Sequence, residues 1–239
     1  MQCVSTTMRL NSNASPQQNA IKNIIYYLCL KPTTLTKFRN KFRIESARLQ
    51  NWDYGWKAKY FVTVVTKDRQ HHLGKIIDGK IILSEIGKIV KHELVITPNI
   101  RADMNLNLDI FTVMPNHFHC IIEIDRNDYN RYENDLNSDY GCRDALQCVS
   151  NMQNKKYIPK WFEYIKPKNK FGPQSKNLGA ILRGIKGTIK LQARKINPDF
   201  GWQTRFLDHI IRSETEYQSI KYYIINNPKN WFDDLFNNK

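Results

Sequence analysis

Apolar residues recur along the first half of the chain with spacings that distinguish strands from helices. The segment Tyr60–Thr66 is dense in aromatic and β-branched residues, which predicts a buried strand. An Asp-Gly pair at 78–79 predicts a turn between two short extended pieces within 74–83. Ser84 is a suitable N-cap for a helix that starts at Glu85, because apolar residues follow at helical spacing: Ile86, Ile89, Val90 and Leu94.

A strand pair and a second helix are predicted next, with Pro98 in the loop that precedes them. Leu106–Val113 and His117–Ile124 have the composition of strands, and Met114-Pro115-Asn116 forms the bend between them. Helical spacing returns with a second set of apolar residues, namely Leu178, Ile181, Leu182, Ile185 and Ile189. Asn197-Pro198 ends this helix, because proline cannot continue the hydrogen-bond pattern.

The last helix is predicted from a capping box. Ser213 is the N-cap and Glu216 lies three residues later, so that each satisfies a free N–H group at the start of the helix. Pro228 limits the helix to about Asn226 or Asn227. Its buried stripe is expected at helical spacing, on Tyr217, Ile220 and Ile224.

The pattern divides the chain into three parts. Residues 1–45 form an accessory N-terminal segment with one helix expected over Ile21–Leu30, and residues 46–232 form the main domain. Within that domain, 125–175 is polar and rich in Asn and Lys, which indicates an insertion or linker. Residues 233–239 are assigned to a C-terminal tail.

Composition points to a basic protein with a polyanionic partner. The 239 residues carry a formal net charge of +15, which favours nucleic acid. No apolar run is long enough to span a membrane, and the N-terminus lacks a secretory pattern. The five cysteines show no paired spacing, so reduced thiols in a cytoplasmic protein are expected.

Two pairs of residues are candidates for a metal-binding or catalytic role. His117 and His119 lie at i and i+2 on a predicted strand, so both imidazoles point to one face and can converge on a divalent ion. Tyr223 and Asn227 lie four residues apart on the last helix and share a face. Taken separately, each pair is equally compatible with ordinary packing: a strand histidine is often only partly buried, and tyrosines at helical spacing usually pack.

Three motifs in order resemble one family. MPNHFHCII at 114–122 resembles the HUH motif, in which an apolar residue separates two metal-binding histidines. NLGAILRGIK at 177–186 resembles the family's basic helix, and WQTRFLDHIIR at 202–212 followed by YIINNP at 223–228 resembles its C-terminal signature. Together, the three motifs resemble those of the REP-associated tyrosine transposases, which are single-tyrosine HUH endonucleases.

The resemblance implies a role for each matching residue. Tyr223 would be the nucleophile, and His117, His119 and Asn227 would bind Mg²⁺ or Mn²⁺. The implied fold is α+β, a ferredoxin-like antiparallel sheet with helices packed on it. The implied reaction is cleavage and rejoining of single-stranded DNA, with hairpins of the REP-like repeat type, through a 5′-phosphotyrosine intermediate. The protein would act as a monomer or homodimer, without a membrane.

Contacts with DNA are expected from basic residues outside the HUH motif. The candidates are Lys176, Arg183, Lys186, Lys190, Arg205, His209 and Arg212. The region before the first strand, including Arg43, Arg48 and Trp52, is a further candidate for contacts with bases.

Two other functions fit parts of the pattern. A zinc hydrolase also uses His-x-His, but it needs a third ligand and an open water position, and no other histidine is arranged as an obvious third ligand. A non-catalytic nucleic-acid-binding protein on a ferredoxin-like sheet would stack bases on strand aromatics, whereas Phe118 is expected on the buried face.

Overall fold

The computed structural model describes residues 52–130 and 175–237, together with the backbone of one separate hairpin. That hairpin pairs β1 (Leu35–Phe38) with β2 (Lys41–Ile44) in antiparallel register. The helix expected over Ile21–Leu30 and most of the expected 125–175 insertion lie outside the described residues, and the domain boundaries stay predictions.

The main body contains strands, helices and short 3₁₀ turns. The strands are β3 (Ala58–Val65), β4 (Gly74–Ile77), β5 (Lys80–Leu83), β6 (Leu106–Val113), β7 (His117–Ile124) and β8 (Leu207–Ile210). The helices are α1 (Glu85–Ile100), α2 (Leu178–Ala193) and α3 (Glu214–Asn226). The 3₁₀ turns are Lys67–Arg69, Ala102–Met104 and Trp231–Asp233. None of the described helices is long and apolar enough to cross a membrane.

Four strands form an antiparallel sheet in the order β6-β7-β3-β8. The chain visits this sheet as β3-α1-β6-β7-α2-β8, which is the ferredoxin-like β-α-β-β-α-β arrangement. The α+β ferredoxin-like class predicted from the sequence is therefore confirmed. β8 was not predicted as a strand, because Leu207–Ile210 is short and three of its four residues are only partly buried.

The two faces of the sheet carry separate apolar clusters. One face, which includes Tyr60, Val62 and Phe118, packs with the buried sides of α1 and α2. The other face, which includes Phe61 and Ile121, packs with α3. Side chains alternate between faces along a strand, so β3 and β7 supply both clusters. Among the helices that the structure describes, α3 is therefore the one that packs on this side of the sheet.

The structure differs from two sequence expectations. Pro98 lies inside the last turn of α1 rather than in a loop. The proline removes the N–H that would bond the Leu94 carbonyl, and the helix ends two residues later, at Ile100, where the Arg101 N–H caps the carbonyls of Thr97 and Pro98. Trp52 is a core residue whose indole donates to the Tyr60 hydroxyl at 3.1 Å, so it does not present an exposed ring to bases.

The start of α3 has the Ser213 half of the predicted capping box, whereas Glu216 accepts from the Arg212 N–H instead of the Ser213 N–H. The Ser213 hydroxyl accepts from the Glu216 N–H at 3.1 Å. The Glu216 carboxylate lies 2.7 Å from His209 Nε2 and accepts from the Arg212 N–H at 2.6 Å. Burial alone would raise the pKa of this carboxyl, but the hydrogen bonds to His209 and Arg212 outweigh it and hold the pKa below its ordinary value. Glu216 thus ties β8 to α3.

Glu216→Gln should lower the free energy of unfolding by about 1–2 kcal/mol at pH 7, because it replaces charge-assisted hydrogen bonds with weaker ones. The native carboxyl has a lowered pKa, so its contribution is complete above the ordinary pKa of 4.5 and is lost as pH falls further. Urea unfolding at pH 7 and pH 3.5 measures both effects. Glu214→Gln, an exposed carboxylate on the same helix, is the matched control and should change little. Equal losses at both pH values would contradict this account.

Candidate active site

The two histidines of β7 lie on the α3 face of the sheet and are fully buried. Their Nε2 atoms are 3.0 Å apart. The strand register places His117 opposite Val65 and His119 opposite Thr63. Two imidazole nitrogens this close either share one proton or bind one cation, so the predicted convergence of the pair is present in the structure.

The tautomer of His117 is fixed by Asn116. The Asn116 Nδ2 atom donates to the carbonyls of Phe236 at 2.7 Å and Arg69 at 3.1 Å. Its Oδ1 atom therefore faces His117 Nδ1, at 2.8 Å, as an acceptor. The proton of the neutral imidazole must lie on Nδ1, which leaves the lone pair of Nε2 directed at His119.

His119 is held in a similar way by β3. Its Nδ1 atom lies 2.7 Å from the Thr63 hydroxyl, and its ring stacks on Phe61 with centroids 5.4 Å apart. A partner on the distal nitrogen of a histidine is the usual arrangement around a metal ion, because it orients the ring and strengthens the other nitrogen as a ligand.

Both imidazoles are neutral over the physiological range. Burial lowers the pKa of His117 to about 3, with further lowering from the nearby positive groups of Arg69 and His71. Burial also lowers the pKa of His119 well below its ordinary value, with a smaller contribution from His117 and opposition from Asp234. Neutral imidazole is the metal-binding form.

Tyr223 reaches this pair from α3. Its hydroxyl lies 3.4 Å from His119 Nε2 and 3.3 Å from an oxygen of Asp234. Its ring packs edge-on against Phe61 with centroids 6.3 Å apart. Tyr222, the preceding residue, is 44% exposed. Of the two adjacent tyrosines, Tyr223 therefore faces the site and Tyr222 faces away from it.

Asp234 completes the cluster from the chain that follows α3. One carboxylate oxygen accepts from the Phe236 N–H at 2.7 Å, and the other accepts from Asn227 Nδ2 at 2.8 Å. An oxygen of Asp234 and one nitrogen from each of His117 and His119 all lie within 4.8 Å of one another. Asp234 lies within residues 233–239, for which the sequence pattern predicts a C-terminal tail.

These groups fit a divalent cation. Asn227 Oδ1 is buried and has no hydrogen-bond partner among the residues that the structure describes. A buried amide oxygen without a partner is costly unless a ligand satisfies it. Two neutral imidazoles with one carboxylate and one amide oxygen form a mixed nitrogen and oxygen donor set, which suits Mn²⁺ or Mg²⁺ as well as zinc.

The segment Trp231–Phe236 covers the site. The Phe236 ring lies 4.8 Å from the His117 ring, and the Trp231 ring lies 6.0 Å from it, measured between centroids. Only 7% of Tyr223 is exposed. With the segment in this position, the Tyr223 hydroxyl is shielded from large molecules in solution.

The basic residues predicted around α2 lie on the other side of the sheet from Tyr223. They are Lys176, Arg183, Lys186 and Lys190. Lys186 Nζ donates to the carbonyls of Gln203 and Thr204 at 2.7 and 3.3 Å, so it holds the loop before β8. The other three are exposed. Arg101 joins Lys176 and Arg183 in lining a cavity of about 450 Å³.

The remaining predicted DNA contacts lie around β8. His209 is opposite Phe61 in the sheet register and so shares the face of the site, but its ring is engaged by Glu216. Arg205 is exposed in the loop before β8. Arg212 precedes α3, and its buried Nε has no partner in the described ranges 52–130 and 175–237.

Sequence reasoning missed three contributors: Thr63, Asn116 and Asp234. Asn116 lies inside the HUH-like motif, but the resemblance implies roles only for the two histidines. The signal for Asp234 was weak but present, since Trp231, Leu235 and Phe236 are apolar residues that a solvated tail does not need. Nothing in the sequence indicates that Thr63 faces His119 until the strand register is known.

Comparisons with known proteins give distant relatives. No protein-family model matches the chain. An uncharacterized protein of Haemophilus influenzae is 29% identical over 190 residues, covering 79% of this chain and 90% of the relative. A REP-associated tyrosine transposase bound to a REP hairpin is 16% identical with a TM-score of 0.44, covering 82% of this chain and 74% of the other. A Deinococcus radiodurans protein provisionally described as a transposase is 15% identical with a TM-score of 0.35. The match covers 72% of this chain and 91% of that protein. Because these similarities assign no family, functional inference depends on the site itself.

Asn116→Ala should weaken Mn²⁺ binding by about 10- to 100-fold, because His117 loses the acceptor that fixes its tautomer. Asn116→Asp keeps that acceptor but loses both donated hydrogen bonds. It should therefore bind Mn²⁺ within a few-fold of wild type while losing about 1–3 kcal/mol of stability. Titration calorimetry and thermal unfolding measure the two quantities separately. Wild-type affinity in Asn116→Ala would show that this residue does not support the ligand.

Proposed function

We propose that the protein is a metal-dependent single-strand DNA endonuclease and strand transferase of the transposase type, with Tyr223 as nucleophile. The observation that carries this proposal is the position of the Tyr223 hydroxyl, 3.4 Å from His119 Nε2 in a buried cluster of potential metal ligands. A packing tyrosine does not require two neutral imidazoles and a carboxylate around its hydroxyl.

The ion would be held by His117 and His119 through Nε2, together with an oxygen donor. Asp234 is the oxygen donor that the geometry favours, since it lies within 4.8 Å of both ligand nitrogens. Asn227 is the donor that the family resemblance favours, and its Oδ1 has no partner among the described residues. Bound there, Mg²⁺ or Mn²⁺ would polarise the scissile phosphate and offset the negative charge that develops on it.

The tyrosine would attack phosphorus directly. A bond forms between Tyr223 Oη and phosphorus, the bond from phosphorus to O3′ breaks, and the leaving O3′ takes the electron pair and a proton. An ordinary phenol has a pKa near 10, so its proton must pass to a neighbouring acceptor during attack. His119 Nε2 is occupied when it holds the ion, so the acceptor within reach is Asp234 Oδ2, at 3.3 Å from the hydroxyl.

The phosphotyrosine bond preserves the energy of the phosphodiester. A second 3′-hydroxyl can therefore reverse the step and join a new strand. This property separates a transferase from a simple nuclease. A net charge of +15 supports a polyanionic substrate, and the exposed cations along α2 supply backbone contacts on the far side of the sheet.

Tyr223→Phe should abolish the covalent DNA adduct and leave oligonucleotide binding within about threefold, because only the attacking oxygen is removed. The measurement uses labelled single-stranded oligonucleotides that contain hairpins, with Mn²⁺, and detects complexes resistant to SDS. Tyr222→Phe is the matched control on the adjacent, exposed tyrosine and should form the adduct normally. Cleavage by Tyr223→Phe at the wild-type rate would instead indicate a zinc-type hydrolase. Metal-independent binding without any cleavage would indicate a non-catalytic protein.

The two oxygen donors can be separated by their alanine variants. Asp234→Ala should weaken Mn²⁺ binding by about tenfold or more, since it removes a direct ligand, whereas Asn227→Ala should weaken it less because it removes the group that orients Asp234. Titration calorimetry gives both affinities. The reverse order, with Asn227→Ala the more damaging, would make Asn227 the ligand and Asp234 its support.

A further inference from the structure

The turn after β3 holds an arginine in a costly backbone conformation beside the site. Asp68 and Arg69 have φ values of 53° and 55°, two consecutive residues in the left-handed region. Residues with a β-carbon rarely adopt this region, and such strain persists only where the surroundings enforce it. Strained positions of this kind cluster at functional sites.

The surroundings enforce it here through the same residues that build the metal site. The Arg69 N–H donates to the Thr66 carbonyl at 3.2 Å. The Arg69 carbonyl accepts from Asn116 Nδ2 at 3.1 Å. Asn116 is also the residue that fixes the tautomer of His117. The position of the Arg69 backbone and the orientation of the ligand imidazole therefore depend on one amide side chain.

The strained turn directs the guanidinium toward the segment that covers the site. One guanidinium nitrogen of Arg69 donates to the Leu235 carbonyl at 3.3 Å. The guanidinium carbon lies 5.8 Å from the centre of the Phe236 ring, and that ring packs on His117. The guanidinium therefore lies beside the ring that covers one of the candidate ligands.

Transfer of a phosphoryl group from O3′ to the tyrosine builds negative charge on the non-bridging oxygens. A guanidinium fork matches two such oxygens in geometry and keeps its charge at all relevant pH values. The basic residues predicted around α2 lie across the sheet, and His209 is engaged by Glu216. Arg69, by contrast, is held against the segment that covers the site, through its hydrogen bond to the Leu235 carbonyl and its position near the Phe236 ring.

We propose that Arg69 is a further catalytic residue, whose guanidinium binds a non-bridging oxygen of the scissile phosphate and stabilises the charge that builds on it. The proposal rests on the proposed function of the Tyr223 site. The phosphate oxygen replaces the Leu235 carbonyl as acceptor when the covering segment moves. The bond between Tyr223 Oη and phosphorus forms and the bond from phosphorus to O3′ breaks, as in the proposed function. Arg69 keeps its protons throughout this step.

The test compares Arg69→Ala, Arg69→Lys and the control Lys67→Ala in single-turnover adduct formation at saturating oligonucleotide and Mn²⁺. Alanine and lysine both keep the β-carbon, so the backbone strain is the same in each variant. Arg69→Ala should be slower by about 100-fold or more, the loss typical of removing one donor to a transition-state oxygen. Arg69→Lys should recover part of this loss. Lys67→Ala removes an exposed cation from the same turn and should stay within threefold of wild type.

A second readout separates contact with the phosphate from a structural effect. Oligonucleotides with a single sulfur at either non-bridging position of the scissile phosphate are compared in wild type and Arg69→Ala. In wild type, sulfur at the oxygen that contacts Arg69 should slow adduct formation. In Arg69→Ala the same diastereomer should react at nearly the rate of the all-oxygen oligonucleotide, because the variant has already lost the contact between the guanidinium and that oxygen. Unchanged sulfur effects, or adduct formation by Arg69→Ala within threefold of wild type, would overturn the proposal. If wild type itself forms no adduct, the proposed function fails, not the role of Arg69 alone.

Discussion

Alternation of side chains along β7 is the constraint on which the site depends. The strand is covered on both faces, so Phe118 and Cys120 enter the core under α1 and α2 while His117 and His119 enter the space under α3. A shift of one residue in register would exchange the two sets and place four polar nitrogens in the main core. Strand pairing on both sides of β7 prevents that shift.

Burial of the two imidazoles then determines their chemistry. A buried histidine resists protonation, and each ring nitrogen must find a partner. The partners are Asn116 and Thr63 on one side and the facing Nε2 atoms on the other. Asn116 also reaches the strained turn at Arg69 and the covering segment at Phe236. The Asn116 amide therefore hydrogen-bonds to His117, to the turn at Arg69 and to the covering segment at Phe236.

The sequence allowed prediction of the parts of the site that arise within single elements. His117 and His119 share a face because of strand periodicity. Tyr223 faces inward because it follows the buried Ile220 by three residues in α3. The missing parts arise between elements distant in sequence. Thr63 faces His119 only through strand register, and Asp234 returns to the site through a short turn without periodicity. β8 was missed because a short, partly buried strand has almost no pattern of its own.

The most direct measurement is identification of the amino acid that carries DNA. Wild-type protein loaded with Mn²⁺ is incubated with hairpin-containing single-stranded DNA, the adduct is trimmed with nucleases, and its peptides are sequenced by mass spectrometry. A nucleotide linked through phosphate to Tyr223 is the result that the structure predicts. A nucleotide on any other residue, or no adduct across a broad set of oligonucleotides with folded and metal-loaded protein, would contradict it.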